Sequence, residues 1–290
     1  MCQPSTPTGR TDSTSRRPEA IAEHSIPNLA LLSPSANRAV VHALKNWPLY
    51  YYDYLRLSSS ETQMFRFRDG LKVLFRNNHR GLTDRSTVKT VIMLDYYRVK
   101  QRTFRPDAVF IDIGAHIGSF ALMMAHRHSR ARVIAFEPVP ASRRLLAKNV
   151  ELNGLSNVTI REESVAGTRR QVTLNVYEDL AGVSMFAQGG ARVVDRYASP
   201  AVTLADVFAQ ERVEVCDYLK LDCEGAEFEI VLGTSDEVLG RIAFIGLEYH
   251  DNLTGRTHRD LQARLEQAGF EVSVHPEGTC LLATNLAVGW

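Results

Sequence analysis

The spacing of apolar positions changes along the chain, and each change marks an element. Residues 1–34 show no periodicity and are rich in Ser, Thr, Pro and Arg, so they read as a disordered tail and linker. From Ser35, an apolar face of Ala39, Val40, Val41, Ala43 and Leu44 predicts a helix. Trp47-Pro48 is expected to end it, because a residue before proline is disfavoured in the helical region. Tyr50, Tyr51, Tyr52 and Tyr54 then form an aromatic cluster that reads either as packing of a small subdomain or as a substrate wall. Residues 64–68 alternate apolar and polar, Asp69-Gly70 is a hairpin turn signal, and residues 71–75 return. Residues 87–97 read as a short amphipathic helix.

From Asp107 the pattern becomes strand–helix alternation. Apolar runs at 108–113, 132–136, 158–161, 218–221 and 242–247 predict strands. Helical patterns fall at 118–128, 140–153 (closed by Gly154), 204–210 (capped by Thr203), 226–232 and 259–268 (ended by Gly269). Residues 171–176 alternate as a further strand, and Gly189-Gly190 marks a mobile loop within a 178–200 insertion. Residues 270–274 and 280–284 form a closing hairpin around Pro276-Glu277-Gly278. The alternation predicts an α/β, Rossmann-like fold with a mostly parallel sheet covered on both faces. Three segments follow: a tail over 1–34, a helical and β-hairpin extension over 35–105, and a cofactor-binding domain over 106–290. The terminal hairpin departs from the repeated βαβ halves of a dinucleotide dehydrogenase.

Candidate chemistry gathers at the predicted carboxyl ends of the strands. Phe110-Ile111-Asp112-Ile113-Gly114-Ala115-His116-Ile117-Gly118 is a strand–turn–helix loop whose glycines let the backbone approach a ligand. Asp112 supplies an acid beside the loop, where a pyrophosphate would be repelled and the cationic amino group of S-adenosylmethionine (SAM) would be welcome. A plain tight turn is the alternative. Glu137 ends the second strand 19 residues after Gly118, placed to accept from ribose hydroxyls. Glu163, with Ser164 beside it, is placed to accept from the adenine amino group; an exposed acid pair with Glu162 is the other reading. The cofactor set is thus Asp112, Gly114, Ala115, His116, Gly118, Glu137, Glu163, Ser164 and Asp222.

The fourth strand runs into Leu219-Lys220-Leu221-Asp222-Cys223-Glu224-Gly225-Ala226-Glu227, where Glu227 either joins the chemistry or steadies the helix start. The fifth ends in Glu248-Tyr249-His250, with Glu248 and His250 on one side if the strand continues. Asp222, Glu248 and His250 are the catalytic candidates, with His250 as a general base for a hydroxyl. The same three are alternatively ligands of a divalent metal that would acidify that hydroxyl. His250 as an ordinary strand-end residue remains the third reading.

Composition narrows the partners. Hydrophobic residues make up 44% and charged residues 23%, and 34 basic against 33 acidic residues leave a net charge of +1. Such a balance offers no electrostatic footprint for nucleic acid, and Arg102, Arg105, Arg130 and Arg132 read as a scattered, solvated face. The four cysteines, Cys2, Cys216, Cys223 and Cys280, form no CxxC pair, so neither zinc nor a disulfide framework is implied. No apolar run reaches transmembrane length and the N-terminus has no apolar signal core, so the expectation is a cytoplasmic protein. A homo-oligomer is compatible with all of this.

Taken together, the 110–118 loop, Ala135-Phe136-Glu137-Pro138, the segment 149–154, the stretch from Leu219 to Glu227 and Leu247-Glu248-Tyr249-His250 resemble the FkbM family of SAM-dependent methyltransferases. The Asp69-Gly70 hairpin and Thr83-Asp84 resemble that family's N-terminal region, and the likeness covers roughly residues 60–275. It implies a class I methyltransferase sheet of seven strands closed by an antiparallel hairpin. It also implies O-methylation of a small-molecule hydroxyl on a sugar, glycolipid or other natural product. Two residues depart from the family pattern: His116 stands where Asn is common, and Cys223 replaces an aliphatic residue. Acceptor specificity is expected in 35–105 and 178–200. The rival functions are an NAD-dependent oxidoreductase, which the missing third glycine disfavours, and a SAM-binding module without catalysis.

Overall fold

The computed structural model describes residues 34–54, 60–77, 83–177, 183–186, 192–251, 253–275 and 278–288. The expected tail, Gly189-Gly190 and Pro276-Glu277 lie outside them. Helix α1 (Pro34–Ala43) is followed by α2 (Trp47–Tyr54), so Trp47-Pro48 opens a second helix rather than closing the first. Proline fits there because the first turn of a helix has no use for its missing N–H. Strands β1 (Thr62–Arg66) and β2 (Lys72–Arg76) form the expected antiparallel hairpin. The helix expected over 87–97 begins earlier, as α3 (Thr83–Val88), continues as one π-helical turn over Lys89–Met93, and stops before Tyr96.

A two-stranded hairpin is marginal alone. Here both edges are closed by asparagine side chains. Asn46 accepts the Arg66 N–H and donates to the Met64 carbonyl at 2.8 and 2.9 Å. On the β2 edge, Asn149 exchanges the same pair of bonds with Leu74 at 2.7 and 3.0 Å, and Asn153 does so with Lys72 at 2.8 and 2.7 Å.

The main sheet begins with β3 (Val109–Ile113), α4 (Ser119–Arg127), β4 (Arg132–Phe136), α5 (Pro140–Leu152) and β5 (Val158–Arg161). Asn149 and Asn153 sit one turn apart at the end of α5, which is how a helix can present them to an extended strand. A second sheet then interrupts the alternation: β6 (Ser164–Val165), β7 (Arg170–Tyr177), β8 (Val183–Ser184) and β9 (Val193–Val202), in the order β6-β9-β7-β8. The strand expected at 171–176 is β7. Much of the region expected as a loop is β9, a ten-residue strand whose Pro200 and irregular polarity hide its pairing with β7.

The chain returns through α6 (Leu204–Gln210), β10 (Cys216–Leu221), α7 (Ala226–Gly233), α8 (Asp236–Leu239), β11 (Ile242–Glu248), α9 (His258–Gln267), β12 (Phe270–Val274) and β13 (Cys280–Asn285). The seven-stranded sheet runs β12-β13-β11-β10-β3-β4-β5, parallel except for β13. This is the expected class I methyltransferase sheet. The chain leaves β3 toward β4 on one side and returns to β10 on the other, so the carboxyl ends of β3 and β10 flank a switch point where ligands bind.

One buried cluster fills the face of the sheet toward the extension: Leu44, Phe65 and Phe75 pack with Phe110, Phe120 and Tyr218. Each large apolar side chain so buried contributes about 1.5–3 kcal/mol. The other face is covered by α6 to α9 around Ile111, Leu219 and Ile245. The arginines expected on a solvated face are mostly engaged. Arg105 forms a two-bond fork with buried Asp217 at 3.0 and 2.8 Å, Arg132 pairs with Glu211, and Arg102 lies 4.0 Å over the Phe244 ring. Arg130 is the exposed one of the four. Among the described residues no helix is long and apolar enough to cross a membrane, and Cys216, Cys223 and Cys280 are free thiols.

Candidate active site

The loop from Gly114 to Gly118 leaves β3 at the switch point. Gly114 and Gly118 both have positive φ, 76° and 95°. Neither has room for a side chain, because Asp222 presses on the first and Leu146 on the second. The Gly114 and Ala115 N–H groups both donate to the Phe136 carbonyl, at 3.1 and 2.9 Å. His116 also takes a left-handed conformation, φ 54°. Histidine and asparagine tolerate that region better than most side chains, which accounts for His116 at a position where the family pattern favours Asn.

Glu137 is buried behind this loop. Its two oxygens accept the N–H groups of His116 and Val139 at 2.7 and 2.8 Å. Burial pushes its carboxyl pKa up, and the nearby His116 opposes that. Each oxygen keeps a lone pair for a further donor.

Asp112 corrects an expectation. Its side chain is fully buried beneath the loop rather than beside a ligand. Its carboxylate lies 3.1 Å from the Lys220 ammonium and accepts the Ala121 N–H at 3.2 Å. Strand pairing dictates this, since Asp112 sits opposite Lys220 in the β3–β10 register. Sequence reading assigned Lys220 no role, yet its Nζ donates to the Gly114 carbonyl at 2.6 Å and lies 3.6 Å from Asp222. Burial alone would lower the lysine's pKa; Asp112 and Asp222 outweigh it and raise it.

His116 also reaches the extension. Its Nε2 lies 2.8 Å from the Arg76 guanidinium and 2.9 Å from the Asp84 carboxylate. Arg76 in turn forks onto Asp84 at 2.8 and 2.7 Å. Arg76 ends β2 and Asp84 sits in the first turn of α3, so the two elements together brace the loop.

Glu163 is occupied by Arg161, whose hydrogen bonds hold its carboxyl below the usual range. The Ser164 hydroxyl is buried against Ser199 at 3.0 Å. Both lie next to the end of β5, with these polar groups already engaged.

The carboxyl edge of β10 and β11 gathers the remaining candidates. Glu227 is fully buried and accepts the Cys223 and Gly225 N–H groups at 2.6 and 2.7 Å, so it holds the 222–226 turn in shape. His250 lies 3.4 Å from Glu227 and 3.5 Å from Glu224. Burial works against its charge, but Glu227 and Glu224 outweigh it and raise the imidazole to about 10. The neighbouring carboxylates favour the imidazolium form of His250, which works against its expected role as a free base. Burial instead pushes the Glu224 carboxyl up to about 7 and Glu248 up to about 8, the latter aided by Asp222. The Tyr97 hydroxyl, from the extension, donates to Asp222 at 3.3 Å. From the insertion, Ser184 donates to the Glu224 carbonyl at 2.6 Å, and Phe186 packs on Gly225.

A metal does not fit this donor set. Among the described residues no three His, Cys, Asp or Glu side chains converge in a metal-ligating group. His250 faces Glu224 and Glu227, so Asp222, Glu248 and His250 do not form such a group among the described residues. SAM does fit. The partly exposed carboxyl of Asp222 at this edge suits a sulfonium and opposes a pyrophosphate. The nearby lysine is already committed to Asp112 and Gly114.

Known proteins share sequence with this chain. A sequence model described as the Methyltransferase FkbM domain matches residues 112–272. AMB antimetabolite synthetase AmbE of Pseudomonas aeruginosa is 30% identical over 210 residues, which cover 59% of this chain and 10% of AmbE. The chain thus spans only about a tenth of that relative. Methyltransferase sdnD of Sordaria araneosa is 27% identical over 192 residues, 56% of this chain and 73% of the relative. Among solved structures, a methyltransferase FkbM from Methylobacillus flagellatus aligns with TM-score 0.45 at 16% identity, over 65% of this chain and 46% of that one.

Proposed function

Because this chain belongs to the FkbM methyltransferase family, we propose that it transfers the methyl group of SAM to a hydroxyl of a sugar, glycolipid or other natural product. SAM supplies a methyl group on a sulfonium, which an acceptor oxygen can attack in line. In this reading residues 106–290 carry the cofactor site. The 114–118 backbone cradles the ligand and Glu137 accepts from its ribose. Glu163 and Ser164 border the adenine side; Glu163 would have to share its carboxylate with Arg161. Asp222 lies nearest the reacting end.

Glu248 is the group best suited to take the hydroxyl proton. A carboxyl pushed up to about 8 is a far stronger base than an ordinary one, and still ionises near neutral pH. His250, held as an imidazolium by Glu224 and Glu227, keeps that acidic edge from repelling itself. The extension supplies Tyr96, and the insertion supplies Phe186, as walls of the acceptor side. The similarity to AmbE, an antimetabolite synthetase, supports a natural-product setting.

The observation that carries the proposal is the match of residues 112–272 to the FkbM methyltransferase domain, with the Asp222 backbone packed against the Gly114 turn at the carboxyl edge of the sheet. Calorimetry with SAM and S-adenosylhomocysteine tests the cofactor, with binding expected in the micromolar range; titration with NADH separates the oxidoreductase reading. O-methylation is tested with radiolabelled SAM against sugar and polyketide hydroxyls, where label appearing only on amines would sink it.

A further inference from the structure

Tyr96 and Tyr97 are bracketed by two residues with left-handed backbone, Asp95 (φ 58°) and Arg98 (φ 50°). Neither is glycine, so contacts hold the turn. The Asp95 carboxylate accepts the N–H groups of Val99 and Lys100, each at 3.1 Å. The Tyr97 carbonyl accepts the Tyr218 hydroxyl at 2.6 Å. This places the buried Tyr97 ring edge-on to Phe120 and Tyr96, with its hydroxyl donating to Asp222 Oδ2 at 3.3 Å. The Lys220 ammonium lies 3.6 Å from that oxygen. Asp222 itself stays partly open at the sheet edge, its side chain 27% exposed.

We infer that Tyr97 is a positioning residue for methyl transfer: acting through Asp222, it fixes that carboxylate toward the cationic centre of the cofactor. A carboxylate clamped between a phenol and an ammonium needs no reorganisation to stabilise a neighbouring positive charge. The clamp is shared between two parts of the chain, since Lys220 comes from the strand that leads to Asp222 and Tyr97 from the extension. The inference rests on the reading of SAM as cofactor.

The test compares two unreactive ligands by calorimetry. S-Adenosylhomocysteine is neutral at sulfur, whereas sinefungin carries an amine in place of the methylsulfonium. The wild type is expected to prefer sinefungin. Tyr97→Phe should reduce that preference about five- to tenfold while S-adenosylhomocysteine affinity stays within about twofold. Asp222→Asn should reduce it at least as much. The double variant should be no worse than Asp222→Asn, because the phenol acts only through the carboxylate. An unchanged preference in Tyr97→Phe, equal weakening of both ligands, or additive losses would overturn the assignment. Asp222→Asn examines the same contact from a partly exposed position, so an unchanged preference there overturns it even if Tyr97→Phe does not fold. If the wild type binds neither ligand, the cofactor reading falls and takes this one with it.

Discussion

The carbonyl oxygen of Asp222 occupies the space a side chain at position 114 would need: a Cβ added to Gly114 would lie 1.8 Å from it. Two stretches of backbone therefore meet with nothing between them, and the Asp222 N–H donates to the Ile113 carbonyl at 3.1 Å. Gly114→Ala must push these strand ends apart and also force alanine into positive φ. S-Adenosylhomocysteine affinity should fall about tenfold or more, together with the thermal midpoint. A variant that binds like the wild type would show that the loop can open without cost.

Glu248 governs the expected pH dependence of turnover. In the proposed mechanism the active form is the carboxylate, and burial with Asp222 nearby raises its pKa to about 8. With any acceptor that turns over, kcat/KM should climb as pH rises toward that value and level off above it. Glu248→Gln should lower kcat about a hundredfold or more and flatten the profile. A profile unchanged by the substitution would move the base elsewhere.

Asp84 governs the acid limb of stability. Its folded pKa lies well below the ordinary 3.8; burial works against this, but His116 and Arg76 outweigh it. A depressed carboxyl contributes stability that is present above its unfolded value and is lost as pH falls below it. Urea denaturation of the wild type should therefore weaken steeply below about pH 4. Asp84→Asn should cost about 3 kcal/mol at neutral pH, by leaving Arg76 unpaired, and should show a shallower acid decline. A variant with an equally steep decline would assign the acid limb to other carboxylates.

Asn149 joins three parts of the chain. It pairs with the Leu74 N–H and carbonyl and donates to the Ile117 carbonyl at 3.0 Å. Asn149→Ala leaves these backbone groups without partners in a buried place, so a loss of about 2–4 kcal/mol is expected in urea denaturation. Asn153→Ala, at the exposed end of the same edge, should cost less. Equal costs would mean that burial does not set the difference.

What could be read from the sequence was local. The 110–118 loop and Glu137 are a strand, a turn and a strand end, and each announces itself in a few residues. The strands and helices that carry them fall close to their expected limits because the apolar runs are short and well punctuated. What escaped depends on distant partners. Asp112 looks like a ligand-facing acid until Lys220, 108 residues later, is placed opposite it. Tyr97 and Asp222 are 125 residues apart, and Arg76 and His116 are 40 apart. His250 looks like a base until Glu224 and Glu227 are folded around it. Strand β9 was hidden differently: Pro200 and a broken polar pattern disguise a strand whose pairing comes from β7.

The buried cluster shared by the extension and the sheet has a consequence for folding order. On the ribosome, Leu44, Phe65 and Phe75 emerge before Phe120 and Leu146, two of the side chains that complete their shared core. The first third of the chain cannot bury its apolar surface until α4 and α5, which supply Phe120, Leu145 and Leu146 to the same cluster, have been synthesised. Contacts of such sequence separation slow folding and leave sticky surface exposed meanwhile. Chaperone capture should therefore concentrate on nascent chains that carry the hairpin but have not yet reached residue 152, and should fall once α5 is out.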